Sequence, residues 1–85
     1  MKEFKYVITD AEGIHARPAG EFVKAAKAVA SSVKVVKDGK EADAKKIFAL
    51  MGLGVKQGQE ILVKVEGEDE ETAAAALETF LKENL

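Results

Sequence analysis

Apolar and polar positions alternate near the start of the chain. Phe4, Tyr6 and Ile8 share one side of residues 3–9, and Lys5 and Thr9 lie on the other, the period of a strand with one buried face. Asp10 to Gly13 reads as a loop, after which the period changes. Ala19, Phe22, Val23, Ala26 and Ala30 recur at i, i+3, i+4, i+7 and i+11, the apolar stripe of a helix over about residues 17–29. Pro18 marks its start, because a first-turn N–H has no helical partner to lose. Ser31 and Ser32 break it, and Val33 to Lys37 reads as a strand. Asp38-Gly39 is a two-residue hairpin turn, since both residues accept positive φ. The returning segment, Lys40 to Ala44, is short and poor in β-branched residues, which suits a sheet edge. Lys46 to Met51 forms a short helix that Gly52 stops. Gly54, Gln57 and Gly58 lead into a strand over 60–66 with Ile61, Val63 and Val65 on one face. Asp69 is the expected N-cap of a last helix whose glutamates suit its positive end. That helix buries Ala73, Ala74, Leu77, Phe80 and Leu81.

The element order is β-α-β-β-α-β-α. Strands with one apolar face and amphipathic helices predict an α+β fold of two layers, an antiparallel sheet with its helices on one side. Residues 1–85 are expected to form a single domain, and there is no internal repeat or low-complexity tract. A composition of 47% hydrophobic and 33% charged residues is that of a soluble globular chain. The absence of cysteine excludes disulfides, zinc-thiolate sites and cysteine nucleophiles. No basic-then-apolar leader opens the chain and no apolar run approaches a membrane span, so a cytoplasmic protein without direct membrane insertion is expected. The net charge of −2 argues against sequence-independent binding to nucleic acid. The charges are unevenly placed, however. Basic residues prevail between Arg17 and Lys46, while from Glu66 onward Lys82 is the one basic residue. A near-neutral protein can therefore still present one basic docking face.

The stretch Gly13-Ile14-His15-Ala16-Arg17-Pro18-Ala19 contains the only histidine and the only proline. Imidazole titrates near neutrality, so a neutral nucleophilic nitrogen is available at pH 7. A helix start offers unpaired N–H groups and partial positive charge to a phosphate. Arg17 adds a planar, permanent cation that can chelate phosphate oxygens. Residue types alone leave a plain surface or packing histidine as the competing interpretation. A metal site lacks the second histidine or cysteine it would need, and no metal or cofactor is expected. Ser31 and Ser32 lie in no nucleophile-elbow motif. Arg17, Gly20, Lys24 and Lys27 form a stripe opposite the apolar one, which Lys45 and Lys46 could extend. It is either an ordinary soluble helix face or a docking surface for acidic partners. The segment Ile47 to Gly54 is too apolar for one short amphipathic helix. Either all of it is core, or Phe48 and Met51 stay partly exposed as a contact patch.

The motif at 13–19 resembles, residue for residue, the active-site motif of HPr, the histidine-containing phosphocarrier of the bacterial sugar phosphotransferase system. The similarity extends to the following helix, the Asp38-Gly39-Lys40 hairpin, the Ala44 to Gly54 segment and Gly67-Glu68-Asp69-Glu70, over essentially the whole chain. The resemblance implies an open-faced sandwich, with three helices on one face of a four-stranded antiparallel sheet of order 1-4-2-3. It implies that His15 accepts a phosphoryl group on Nδ1 from enzyme I, charged by phosphoenolpyruvate, and donates it to sugar-specific IIA domains. The chain would then be a phosphoryl-transfer protein with a phosphohistidine intermediate rather than a stand-alone enzyme. His15 and Arg17 would act in transfer, and Ala16, Arg17 and Pro18 would form the phosphate site. Arg17, Gly20, Lys24, Lys27, Phe48 and Met51 would meet partners, and the protein would act as a monomer.

One position departs from the family pattern. Many relatives from Gram-positive bacteria carry a regulatory serine where this chain has Lys46, so kinase-dependent regulation there is excluded. Lysine has the charge opposite to phosphoserine and cannot imitate it. Two other functions stay open: a paralogous, nitrogen-type regulatory carrier, and a binding module that is never phosphorylated.

Overall fold

The structure, a computed structural model, describes residues 1–14 and 16–85, with Ala16 described by its backbone alone. The elements follow the expected order: β1 Lys2–Val7, α1 Ala16–Lys27, β2 Ser32–Lys37, β3 Lys40–Asp43, α2 Ile47–Met51, β4 Glu60–Glu66 and α3 Glu70–Asn84. The four strands form one sheet in the order β1-β4-β2-β3, and every neighbouring pair is antiparallel. β3 has few apolar side chains to bury and lies at the edge. Asp38 and Gly39 adopt φ of 51° and 79°, closing a two-residue turn between Lys37 and Lys40. This conformation matches the twist of the flanking strands.

One face of the sheet is core. Val33, Val35, Ile61, Val63 and Val65 are fully buried there, with Phe4 and Tyr6 packed against them. The helices cover this face through Ala19, Phe22, Val23 and Ala26 of α1, Leu50 of α2, and Ala73, Leu77 and Leu81 of α3. Phe22 and Phe80 join α1 to α3, with ring centroids 5.7 Å apart and planes tilted by 32°. A buried Phe is worth about 3–5 kcal/mol against alanine, so this contact fixes how α1 sits on the sheet. The other face carries Lys5, Leu62, Val36 and Glu41 in register across the strands, none of them fully buried.

Three local details differ from expectation. β1 stops at Val7, because Thr9 and Asp10 turn to donate their N–H groups to the Leu85 carbonyl, at 2.6 and 2.9 Å. α1 stops at Lys27, where Ala28 shares its N–H between the carbonyls of Lys24 and Ala25, and Ala30 beyond it is exposed rather than part of the apolar stripe. Asp69 does occupy the N-cap of α3, but its carboxylate does not cap that helix. It accepts from the N–H of Ala30 at 3.0 Å, the N–H of Ser31 at 2.9 Å and the Ser31 hydroxyl. Asp69 thereby ties the start of α3 to the link between α1 and β2. The Ser31 hydroxyl first, and then the Ala30 N–H, hold its carboxyl below the usual aspartate range.

The segment before α1 is pinned from both sides. Gly13 donates its N–H to the Asp10 carbonyl at 2.9 Å, and Ile14 donates to the Val55 carbonyl at 3.1 Å while burying its side chain in the core. Gly13 has φ +70°, and a Cβ on it would run into the Val55 carbonyl oxygen and stand 2.8 Å from Lys56 Cα. Only glycine permits this approach without strain.

Gly13→Ala is expected to destabilise the protein by roughly 1–3 kcal/mol, from the positive φ and the backbone clash together, and denaturant unfolding measures it. Asp69 gives a pH signature. A carboxyl whose pKa is lowered by folding contributes stability above the ordinary aspartate value of about 4, and that contribution fades as pH falls through the lowered value. Asp69→Asn should melt below the wild type at pH 7, and the two melting temperatures should converge as pH falls through the lowered Asp69 value. A constant gap would show that the charge on Asp69 is not what holds the link.

Candidate functional site

α1 is amphipathic, so burying Phe22 orients its whole length and leaves its first turn at the edge of the core. Pro18 and Ala19 are buried there, while Arg17 is exposed. The opening N–H groups of any helix lack intrahelical partners. The first turn of α1 contains no acidic residue that would neutralise its positive end. Its last turn holds Lys24 and Lys27, which suit the negative end. His15 lies outside the described residues, and so does the side chain of Ala16. The flanks are described: Ile14 is anchored to Val55 on one side, and the helix starts at Ala16 on the other. Among the described residues Arg17 forms no ion pair or hydrogen bond through its side chain.

The stripe on the outer side of α1 meets α2 at Gly20. A Cβ placed on Gly20 would sit 3.6 Å from Ile47 Cδ1, so the small residue lets the two helices close together. Lys24 and Lys27 are exposed. The apolar segment divides rather than packing as a unit. Leu50 and Leu53 enter the core and Ile47 is partly buried, whereas Phe48 is 86% exposed and Met51 36%. A ring as large as phenylalanine's left in water at that level is uncommon on a small domain. Because Ile47 abuts Gly20, the exposed pair on α2 adjoins the basic stripe on α1.

The two lysines considered as extensions of the stripe separate. Lys45 turns inward and donates from Nζ to the Val29 carbonyl at 3.1 Å. Lys46 is exposed. Lys37, which sequence patterning did not single out, reaches from the end of β2 to the carbonyls of Leu53 and Gly54, at 3.2 Å each, and secures the exit of α2. These contacts link residues 16 or 17 positions apart, and no local spacing announces them. Among the described residues no group of three or more histidine, cysteine, aspartate or glutamate side chains is placed to hold a metal ion. No described helix is long and apolar enough to cross a membrane.

Comparison with known proteins gives a consistent result. The family model described as the PTS HPr component phosphorylation site matches residues 2–83. The phosphocarrier protein HPr of Lysinibacillus sphaericus is 45% identical over 83 residues, covering 98% of this chain and 94% of that protein. A crystal structure of HPr-C-His from Thermoanaerobacter tengcongensis superposes with a TM-score of 0.94 at 42% identity, covering 99% of this chain and 94% of that one. A crystal structure of an HPr dimer from the same organism gives a TM-score of 0.78 at 42% identity, covering 98% and 95%. The four-stranded antiparallel sheet of order 1-4-2-3 with three helices is the fold of these structures. By sequence, fold and the motif around residues 13–19, the chain belongs to the HPr family of phosphocarrier proteins of the phosphotransferase system.

Proposed function

We propose that this protein is a cytoplasmic, monomeric, single-domain carrier that takes a phosphoryl group on His15 from phosphorylated enzyme I and gives it to sugar-specific IIA domains. The observation that carries this reading is the start of α1. A helix whose first turn contains no acidic residue, set between a pinned Ile14 and a buried Pro18, directly follows the chain's single histidine.

In the proposed step the neutral imidazole of His15 attacks the phosphorus of the donor's phosphohistidine through Nδ1. The new N–P bond forms as the donor's N–P bond breaks, and the donor ring, already protonated on its other nitrogen, leaves as neutral imidazole. The proton on Nε2 stays in place, so no acid or base need be supplied. The N–H groups of Ala16 and Arg17 and the Arg17 guanidinium stabilise the phosphoryl oxygens, and Pro18 stiffens the turn that presents them. A site on the surface with one arginine binds phosphate loosely, which suits a carrier that must release its cargo. Arg17, Gly20, Lys24, Lys27, Phe48 and Met51 form the docking face. Its cations speed and orient encounters with acidic partners, and its apolar pair supplies contact area that tolerates several of them.

Incubation with phosphoenolpyruvate and enzyme I, followed by intact mass, tests the reading. One phosphoryl group should be gained, be lost in acid, and be absent from His15→Ala. No gain, or a gain that survives His15→Ala, would overturn it. Arg17→Ala should slow transfer by about 10- to 100-fold with little change in the melting temperature, because the side chain supports transferring charge, is exposed, and makes no ion pair or hydrogen bond among the described residues.

A further inference from the structure

Lys46 stands at the N-cap of α2, with extended backbone at φ −122° and ψ 112° and no side-chain cap hydrogen bond. Serine, threonine, aspartate or asparagine would accept a hydrogen bond from the first-turn N–H groups there, whereas an ammonium has no acceptor to offer. Its charge also opposes the positive end of the helix. The first turn of α2 has no acidic residue to offset it. Local stability therefore disfavours lysine at this position.

No contact among the described residues compensates. The side chain is exposed and makes no hydrogen bond or ion pair among the described residues. Its neighbour shows the contrast. Lys45 donates through Nζ to the Val29 carbonyl and through its N–H to Asp43 Oδ1, so its charge is committed to the fold. Lys46 directly precedes Ile47, which packs on Gly20 in the middle of the basic stripe, and it lies two residues before the exposed Phe48. The free ammonium is thus added where the cations of α1 meet the apolar pair of α2.

We propose that Lys46 is a docking cation, placed to engage carboxylates on an acidic protein partner at the junction of α1 and α2, at a cost in the stability of α2. This inference rests on the carrier reading and adds a residue to its docking face. It also gives the partner a required feature: an acidic side chain opposite the start of α2. Lys45 serves the fold, and Lys46 serves the encounter.

The test uses the full chain and phosphorylated enzyme I as the probe, with transfer followed by rapid quench at low and high salt. Lys46→Ser should lower the second-order rate constant by about 2- to 5-fold at low salt, and Lys46→Glu should lower it further. Both differences should shrink at high salt, while the first-order rate at saturating partner stays unchanged. In the same samples Lys46→Ser should melt a few degrees above the wild type, because serine caps α2. A gain in stability with a loss in association rate is a combination that a merely structural residue would not give. If the wild type accepts no phosphate, the carrier reading fails and takes this inference with it. If the wild type is phosphorylated and the Lys46 variants match its second-order rate at low salt, or differ from it equally at all salt concentrations, this inference alone is overturned.

Discussion

The backbone hydrogen bond from Ile14 to Val55, made possible by the missing side chain of Gly13, holds the start of α1 where the rest of the site needs it. The helix itself is placed by its apolar stripe, with Phe22 as the largest buried side chain. Those two restraints pull in different directions. The stripe draws α1 into the core, while the pinned loop fixes which end of it faces out. A helix docked on a sheet normally has both ends spanned by loops that are free to fray. Here Ile14, just before the catalytic candidate, is buried, and so are Pro18 and Ala19 in the first turn of α1, so the start of the helix is held from both sides without needing a pocket. The sheet serves the same purpose at a distance, because Val55 lies just ahead of β4, the strand that pairs with both β1 and β2.

Charge is distributed along the same lines. The cations of α1 have no acidic counterpart within the first turn of their helix, and Lys46 adds another at the start of α2. The acidic residues gather instead at the start of α3, where Glu70 and Glu71 suit the helix end and Asp69 is used to fasten Ser31. A protein of net charge −2 can in this way offer a positive face to its surroundings. Exposed cations without internal partners contribute little to folding, so their arrangement is free to serve association.

Much of this was legible in the sequence because it depends on short-range periodicity. Alternation at Phe4, Tyr6 and Ile8 and at Ile61, Val63 and Val65, the stripe from Ala19 to Ala26, and the Asp38-Gly39 turn each follow from one segment considered alone. The poverty of β3 in branched residues placed it at the edge for the same reason. Contacts between distant segments were not legible. Asp69 has the composition of a helix cap, yet its carboxylate finds better donors in the Ala30 and Ser31 N–H groups and the Ser31 hydroxyl, which only the tertiary fold brings near. Lys45 and Lys46 look alike in the sequence, and a carbonyl at Val29 separates them. Phe48 and Met51 could have been core or surface. The fold decided for exposure once Leu50 and Leu53 had filled the space beneath α2. At the site, the motif from Gly13 to Ala19 pointed to the chemistry, and the structure supplies the restraint on either side of His15.

In the proposed carrier the start of α1 receives the phosphoryl group held on His15. Backbone amide resonances of the ¹⁵N-labelled protein, compared before and after phosphorylation, test this. The Ala16 and Arg17 amides should show the largest downfield shifts, as expected for N–H groups that donate to a phosphate, with changes fading along α1 and absent from the outer face of the sheet. A phosphorylated protein whose Ala16 and Arg17 amides do not move, or whose largest shifts lie away from the start of α1, would contradict the claim.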